Sequence, residues 1–169
     1  FFFQAQPGIR DSVASRGLGD VYKRQGLDGI KAACTGQVDQ VTMVSRKPPI
    51  GLEGAPHLIE NGISLEDLES EMEVFSGTAR EAVKGFPANL NVSAAVSLAG
   101  IGPDRTLVKM LAVPGLQRNC HDIEVVGEFG VLQVHIENNP SENPKTGKLT
   151  AFSIIRSIQA AMDPFRIGT

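Results

Sequence analysis

His121 is the residue in this chain whose type and setting best suit proton transfer. Its imidazole titrates near neutral pH, and it stands in the run Arg118-Asn-Cys-His-Asp122, at the mouth of an alternating apolar segment. Strand alternation gives it the same face as Ile123 and Val125. Such a histidine is either a general acid or base or a core residue held by hydrogen bonds. Cys120 has cationic neighbours that would favour a thiolate, but one residue away it points to the other face, so an inert thiol is expected. His135 alternates to the solvated face and His57 falls in a loop, so both are expected to be bystanders. Asn91 precedes an apolar run. It is either a helix cap or a donor that, with the helix dipole, meets a polar or anionic ligand. Arg46, Lys47, Arg118, Asn119 and Lys145 are the candidates for binding carboxylates, the arginines in bidentate fashion and the lysines as point charges. Each of these cations is equally a surface charge.

Several chemistries are excluded. No GxGxxG, GxxxxGK[ST], HExxH or GxSxG occurs, so the chain carries no phosphate loop. Cys34 and Cys120 form no CxxC or Cys/His spacing, which argues against a metal site and a disulfide scaffold and favours a reducing cytoplasm. A net charge of −3 argues against nucleic acid, and charged residues interrupt every apolar run before it could cross a membrane.

The elements that must position these residues follow from hydrophobic period and punctuation. GLDGIKAA (26–33) reads as a short helix with Gly36 as its C-cap, and Gln40 to Ser45 as a strand halted by Pro48-Pro49. The stretch to Gly62 reads as loop, either a lid or a connection, and Ser64 as the cap of an acidic helical turn. A brief strand over Glu73 to Phe75 precedes Thr78-Ala-Arg-Glu81, a capping box that opens a helix closed by Pro87. Val92 to Gly100 is a small-residue helix buried on most sides, with Asn89 or Asn91 as its cap. Strands over Thr106–Val113, His121–Phe129 and Val131–Asn138 follow, the last two joined tightly at Gly130. Leu149 to Met162 is amphipathic, with Phe152, Ile155, Ile158 and Met162 at helical spacing. The expected class is α+β: a mixed, largely antiparallel sheet, with the three consecutive strands paired, and helices packed on it.

Residues 1–25 do not share this patterning. They show neither helical nor strand period and lack the order of a signal peptide, and Asp11 to Gln25 resembles translated adapter sequence. They are expected to be a leader outside the fold, leaving 26–169 as one domain with 12 basic and 17 acidic residues and an aliphatic core.

A series of motifs runs in order over that domain: GLDGIKAA (26–33), RKPP (46–49), FSGTAREA (75–82), FPANLNV (86–92), LAGIG (98–102), DRT (104–106), RNCHDIE (118–124) and NPKT (143–146). Together they closely resemble the L-aspartate dehydrogenase family. The resemblance implies a catalytic domain whose Rossmann half is absent, NAD or NADP as cofactor, L-aspartate and iminoaspartate as substrate and product, and a homodimer. It implies that His121 is the active-site histidine and that Asn91 contacts the cofactor near the nicotinamide. Without a dinucleotide-binding half the chain alone is expected to be inactive. The alternatives are the catalytic domain of a dihydrodipicolinate reductase type of enzyme and a non-catalytic module that self-associates through sheet surface.

Overall fold

The computed structural model describes residues 26–87, 91–139 and 148–162, so the expected leader, Asn89 and Lys145 lie outside the described residues. The fold is α+β, built on a five-stranded mixed sheet of order β2-β3-β1-β4-β5. In chain order the elements are α1 (Leu27–Ala33), β1 (Val38–Lys47), a 3₁₀ turn (Pro49–Gly51), α2 (Pro56–Glu60), β2 (Met72–Thr78), α3 (Ala79–Gly85), α4 (Asn91–Ala99), β3 (Thr106–Ala112), β4 (Asn119–Gly127), β5 (Gly130–Asn138) and α5 (Lys148–Met162).

The strand partners differ from the expected succession. β4 and β5 do form an antiparallel hairpin, its two-residue loop placing Gly130 at φ 112°, a value that favours glycine. β3 does not pair with β4. Instead β1 lies between them, parallel to β3 and antiparallel to β4. A parallel neighbour needs a crossover connection, and the chain from Pro48 to Gly102, carrying α2, β2, α3 and α4, provides it. β2 then closes the far side, antiparallel to β3.

Alternation along the strands gives the sheet one helix-covered face and one open face. Val41, Met43, Ile123 and Val125 pack with Leu27 and Ile30 of α1 and Val96 of α4. Under the other half, Val108 and Met110 of β3 and Val74 of β2 pack with Ala79 and Ala82 of α3, Leu58 of α2 and Phe86. The second cluster corrects the expectation of an aliphatic core. Phe86 is fully buried, with Phe75 and His57 edge-on or tilted against it. His57 accordingly sits on a helix within this cluster and not in a loop.

The Thr78 capping box forms as expected: Thr78 Oγ1 accepts from Glu81 N while the Glu81 carboxylate accepts from Thr78 N at 2.8 Å. Four local expectations change. The acidic run after Ser64 makes turns and no helix, because Asp67 adopts φ 55° and Ser64 Oγ accepts from Glu66 N instead. The stretch before Gly62, expected as loop, contains α2. Helix α1 is capped at Cys34 and not Gly36. α4 buries only Ser93, Val96 and Ser97 fully and exposes Leu98, so it is covered on one side and not on most. In α5 the expected apolar stripe is present, but Phe152, Ile155, Ile158 and Met162 are exposed. No helix among the described residues is long and apolar enough to cross a membrane.

Candidate active site

The elements converge on one spot at the C-terminal end of β1. Ser45 is the register partner of His121 across the antiparallel β1–β4 pair, and both side chains face the helices, continuing the rows of Met43 and Ile123. Lys47, two residues beyond Ser45, shares that face, and its carbonyl accepts from Val113 N at 2.8 Å before Pro48 ends the strand. The expected strand thus runs two residues further than its sequence signal, and this carries Lys47 into the site.

Helix α4 is aimed at the same spot. Ser93 Oγ donates to Met43 Sδ at 3.3 Å, while a Cβ on Gly100, at the other end of the helix, would lie 3.5 Å from Val41. The helix therefore runs antiparallel to β1, and its N-terminus, with the exposed Asn91 as first helical residue, points along the strand towards Ser45 and Lys47. The partial positive charge of its first turn faces that end.

The electrostatics follow from burial. His121 is 6% exposed; desolvation first, and then the Lys47 charge, lower its pKa to about 4. The imidazole is neutral at pH 7 and has a free lone pair. Desolvation also lowers the Lys47 pKa. Among the described residues, Ser45 Oγ and His121 Nδ1 are buried side-chain atoms without a hydrogen-bond partner. Left unpaired, each such group costs about 1–3 kcal/mol.

The neighbouring candidates go elsewhere. Arg46 projects from the open face, where it pairs with Asp122 and, at 3.4 Å, with Glu71. Arg118 pairs with Glu137 at 2.9 Å. The dipeptide Arg46-Lys47 is thus split by strand alternation between the two faces of the sheet. Asn119 alternates to the His121 face, opposite Asn138. Cys120 lies on the open side, where burial pushes its thiol pKa up and Glu137 reinforces the shift, as an inert thiol requires. His135 is exposed on that face, and its hydrogen bond to Asp122 raises its pKa. Burial pushes Asp122 up, but the bonds from His135 and Arg46 outweigh it and hold the carboxyl below its usual range. A cavity of about 510 Å³, lined in part by Cys34, Asp39 and Arg105, opens at the start of β1, about 20 Å of strand away from Ser45.

Sequence reading passes over Ser45. A serine in a strand carries no signal of its own, and only the β1–β4 register sets it against His121. The described residues contain no glycine-rich cradle for the phosphates of a dinucleotide.

A mixed sheet of this order, with a neutral buried histidine and a desolvated lysine at one strand end under a helix N-terminus, defines an α+β domain with an acid–base constellation on its covered face. Comparison with known proteins gives the family. Residues 28–161 match the family model described as aspartate dehydrogenase, C-terminal, and the chain belongs to that family. It is 53% identical over 145 residues to L-aspartate dehydrogenase of Methanosarcina mazei, covering 85% of this chain and 54% of that protein. It is 51% identical over 144 residues to L-aspartate dehydrogenase 3 of Bordetella bronchiseptica, covering 85% and 53% respectively. The crystal structure of aspartate dehydrogenase from Thermotoga maritima superposes with a TM-score of 0.62 at 27% identity, covering 84% of this chain and 50% of that one. The chain spans about half the length of the relatives it matches.

Proposed function

We propose that this segment is the catalytic domain of an NAD(P)-dependent enzyme that oxidises L-aspartate to iminoaspartate, which water converts to oxaloacetate and ammonia, feeding pyridine nucleotide biosynthesis. The observation that carries the reading is the neutral His121, buried beside Lys47 at the head of α4; the relatives named L-aspartate dehydrogenase support it.

The roles follow from the chemistry. Aspartate arrives as an ammonium, and its nitrogen must shed a proton before its lone pair can form C=N as hydride leaves Cα. His121, neutral at pH 7, takes that proton. Lys47, held out of water, anchors a substrate carboxylate as a point charge. Asn91 and the head of α4 would hold the nicotinamide end of the cofactor, which would supply the hydride acceptor. Once His121 has released that proton to solvent, the neutral imidazole can take the proton of the water that adds to the imine. Self-association as a homodimer belongs to the same reading, supported by the outer edge of β5, unpaired among the described residues, and by exposed Leu107 and Val131 on the open sheet face. A reducing cytoplasm suits the two free cysteines.

The test is His121→Ala in a full-length enzyme carrying this segment joined to a dinucleotide-binding half. Loss of a general acid–base group lowers turnover by about 10²–10⁴-fold. Turnover of aspartate within about twofold of wild type would show that His121 does not carry the proton, because the expected loss lies far outside that range. This chain without the second half should form no NADH from aspartate and NAD.

A further inference from the structure

We propose that Ser45 is a positioning residue for His121: its Oγ accepts a hydrogen bond from His121 Nδ1–H and so leaves Nε2 as the nitrogen with the lone pair. The inference rests on the deamination reading of the same site.

Geometry carries it. The two residues are register partners in the antiparallel β1–β4 pair, and both lie on the helix-covered face. Directly opposed residues have Cβ atoms about 4.5–5.5 Å apart, close enough for short side chains on one face to meet. Ser45 is fully buried, and Ser45 Oγ and His121 Nδ1 both lack partners among the described residues. These orphaned groups belong to residues directly opposed across a single strand pair. The other buried hydroxyls of the helix-covered layer are already committed: Ser93 to Met43 Sδ, Ser97 to the Ala94 carbonyl and Thr106 to the Gly102 carbonyl.

The chemistry needs such a partner. Which imidazole nitrogen carries the proton is set by the hydrogen bond that the other makes. With Nδ1–H donated to Ser45, the base is Nε2. When Nε2 takes the proton from the substrate ammonium, Nδ1–H stays on Ser45 and the bond survives in both charge states. The hydroxyl oxygen accepts throughout, and no proton passes through it. Catalytic hydrogen bonds are commonly loose before substrate binds and tighten once it excludes water, so the pair closes as the substrate seats beside Lys47.

Two measurements test the pair. In the full-length enzyme labelled with ¹⁵N-histidine and saturated with aspartate, long-range ¹H–¹⁵N correlations read the tautomer directly. The expected result is a proton on Nδ1 of His121 in the wild type and loss of that preference in Ser45→Ala. In the full-length enzyme, Ser45→Ala is expected to lower kcat about 10–100-fold, with KM for aspartate within about twofold, and to shift the acid limb of the pH profile. Ser45→Thr, which keeps the acceptor, should restore most of the rate. An unchanged tautomer with an unchanged acid limb in Ser45→Ala overturns the proposal, and so does a loss confined to KM, which would make Ser45 a substrate contact. If the full-length wild type does not turn over aspartate while the tautomer still depends on Ser45, the deamination reading fails and the positioning role stands.

Discussion

Acidification should destabilise this chain through His121. The side chain is 6% exposed, and burial followed by the Lys47 charge sets its pKa at about 4, against 6.5 for the free group. Because the folded value lies below the unfolded one, the contribution to stability is fully present above pH 6.5 and is lost as pH falls from 6.5 towards 4. At about 1.4 kcal/mol per pH unit the gap is worth about 3 kcal/mol, a large share of the roughly 5–15 kcal/mol that holds a domain together. The perturbation is His121→Gln, which keeps a polar side chain of similar size and does not titrate. Other groups titrate in or near the same range. His135, raised by its bond to Asp122, contributes with the opposite sign, losing its stabilisation as pH rises. Asp122 and Glu137, held low by their partners, lose theirs as pH falls through the carboxylate range. These lie on the opposite face of the sheet and are common to both proteins, so they largely cancel in the difference. Urea unfolding followed by circular dichroism is the assay. Between about pH 7 and about pH 4, the wild type should lose about 3 kcal/mol more than the variant. Parallel stability curves for the two proteins would refute the assigned burial and charge of His121.

Two further outcomes follow from packing. Phe86→Ala removes a fully buried ring that touches both Phe75 and His57. It should cost about 3–5 kcal/mol in denaturant unfolding, while the His121 tautomer, which rests on the other cluster, stays as it was. Gly127→Ala would bring a Cβ to 2.3 Å from the Gln37 carbonyl oxygen. Because that neighbour is backbone and cannot swing away, the substitution should cost about 1–3 kcal/mol in the same assay.

Features closed within a few residues were legible in the sequence. The capping box of Thr78 and Glu81, the tight β4–β5 hairpin, the helices over 27–33 and 91–99 and the alternation of His121 against Cys120 all depend on local hydrogen bonds or local period. The acidic run after Ser64 shows the limit. Its composition suits a helix, yet the left-handed backbone of Asp67 and the bond between Ser64 and Glu66 turn the chain instead. Phe86 is another such case, since one aromatic in a sequence does not reveal that Phe75 and His57 will enclose it.

The sequence by itself determined an α+β domain, a histidine on an apolar strand face, and a motif series that ties the chain to its family. Only the tertiary structure decided that β1 enters the sheet between β3 and β4, because strand partners are chosen by long-range burial and crossover geometry, which leave no local mark. That insertion sets Ser45 opposite His121, sends Lys47 to the covered face and Arg46 to the open one, and lays the head of α4 along β1. One residue of slip in that register would put Ser45 on the wrong face. The chemistry of the site therefore depends on a pairing that the residues of β1 and β4 specify only together.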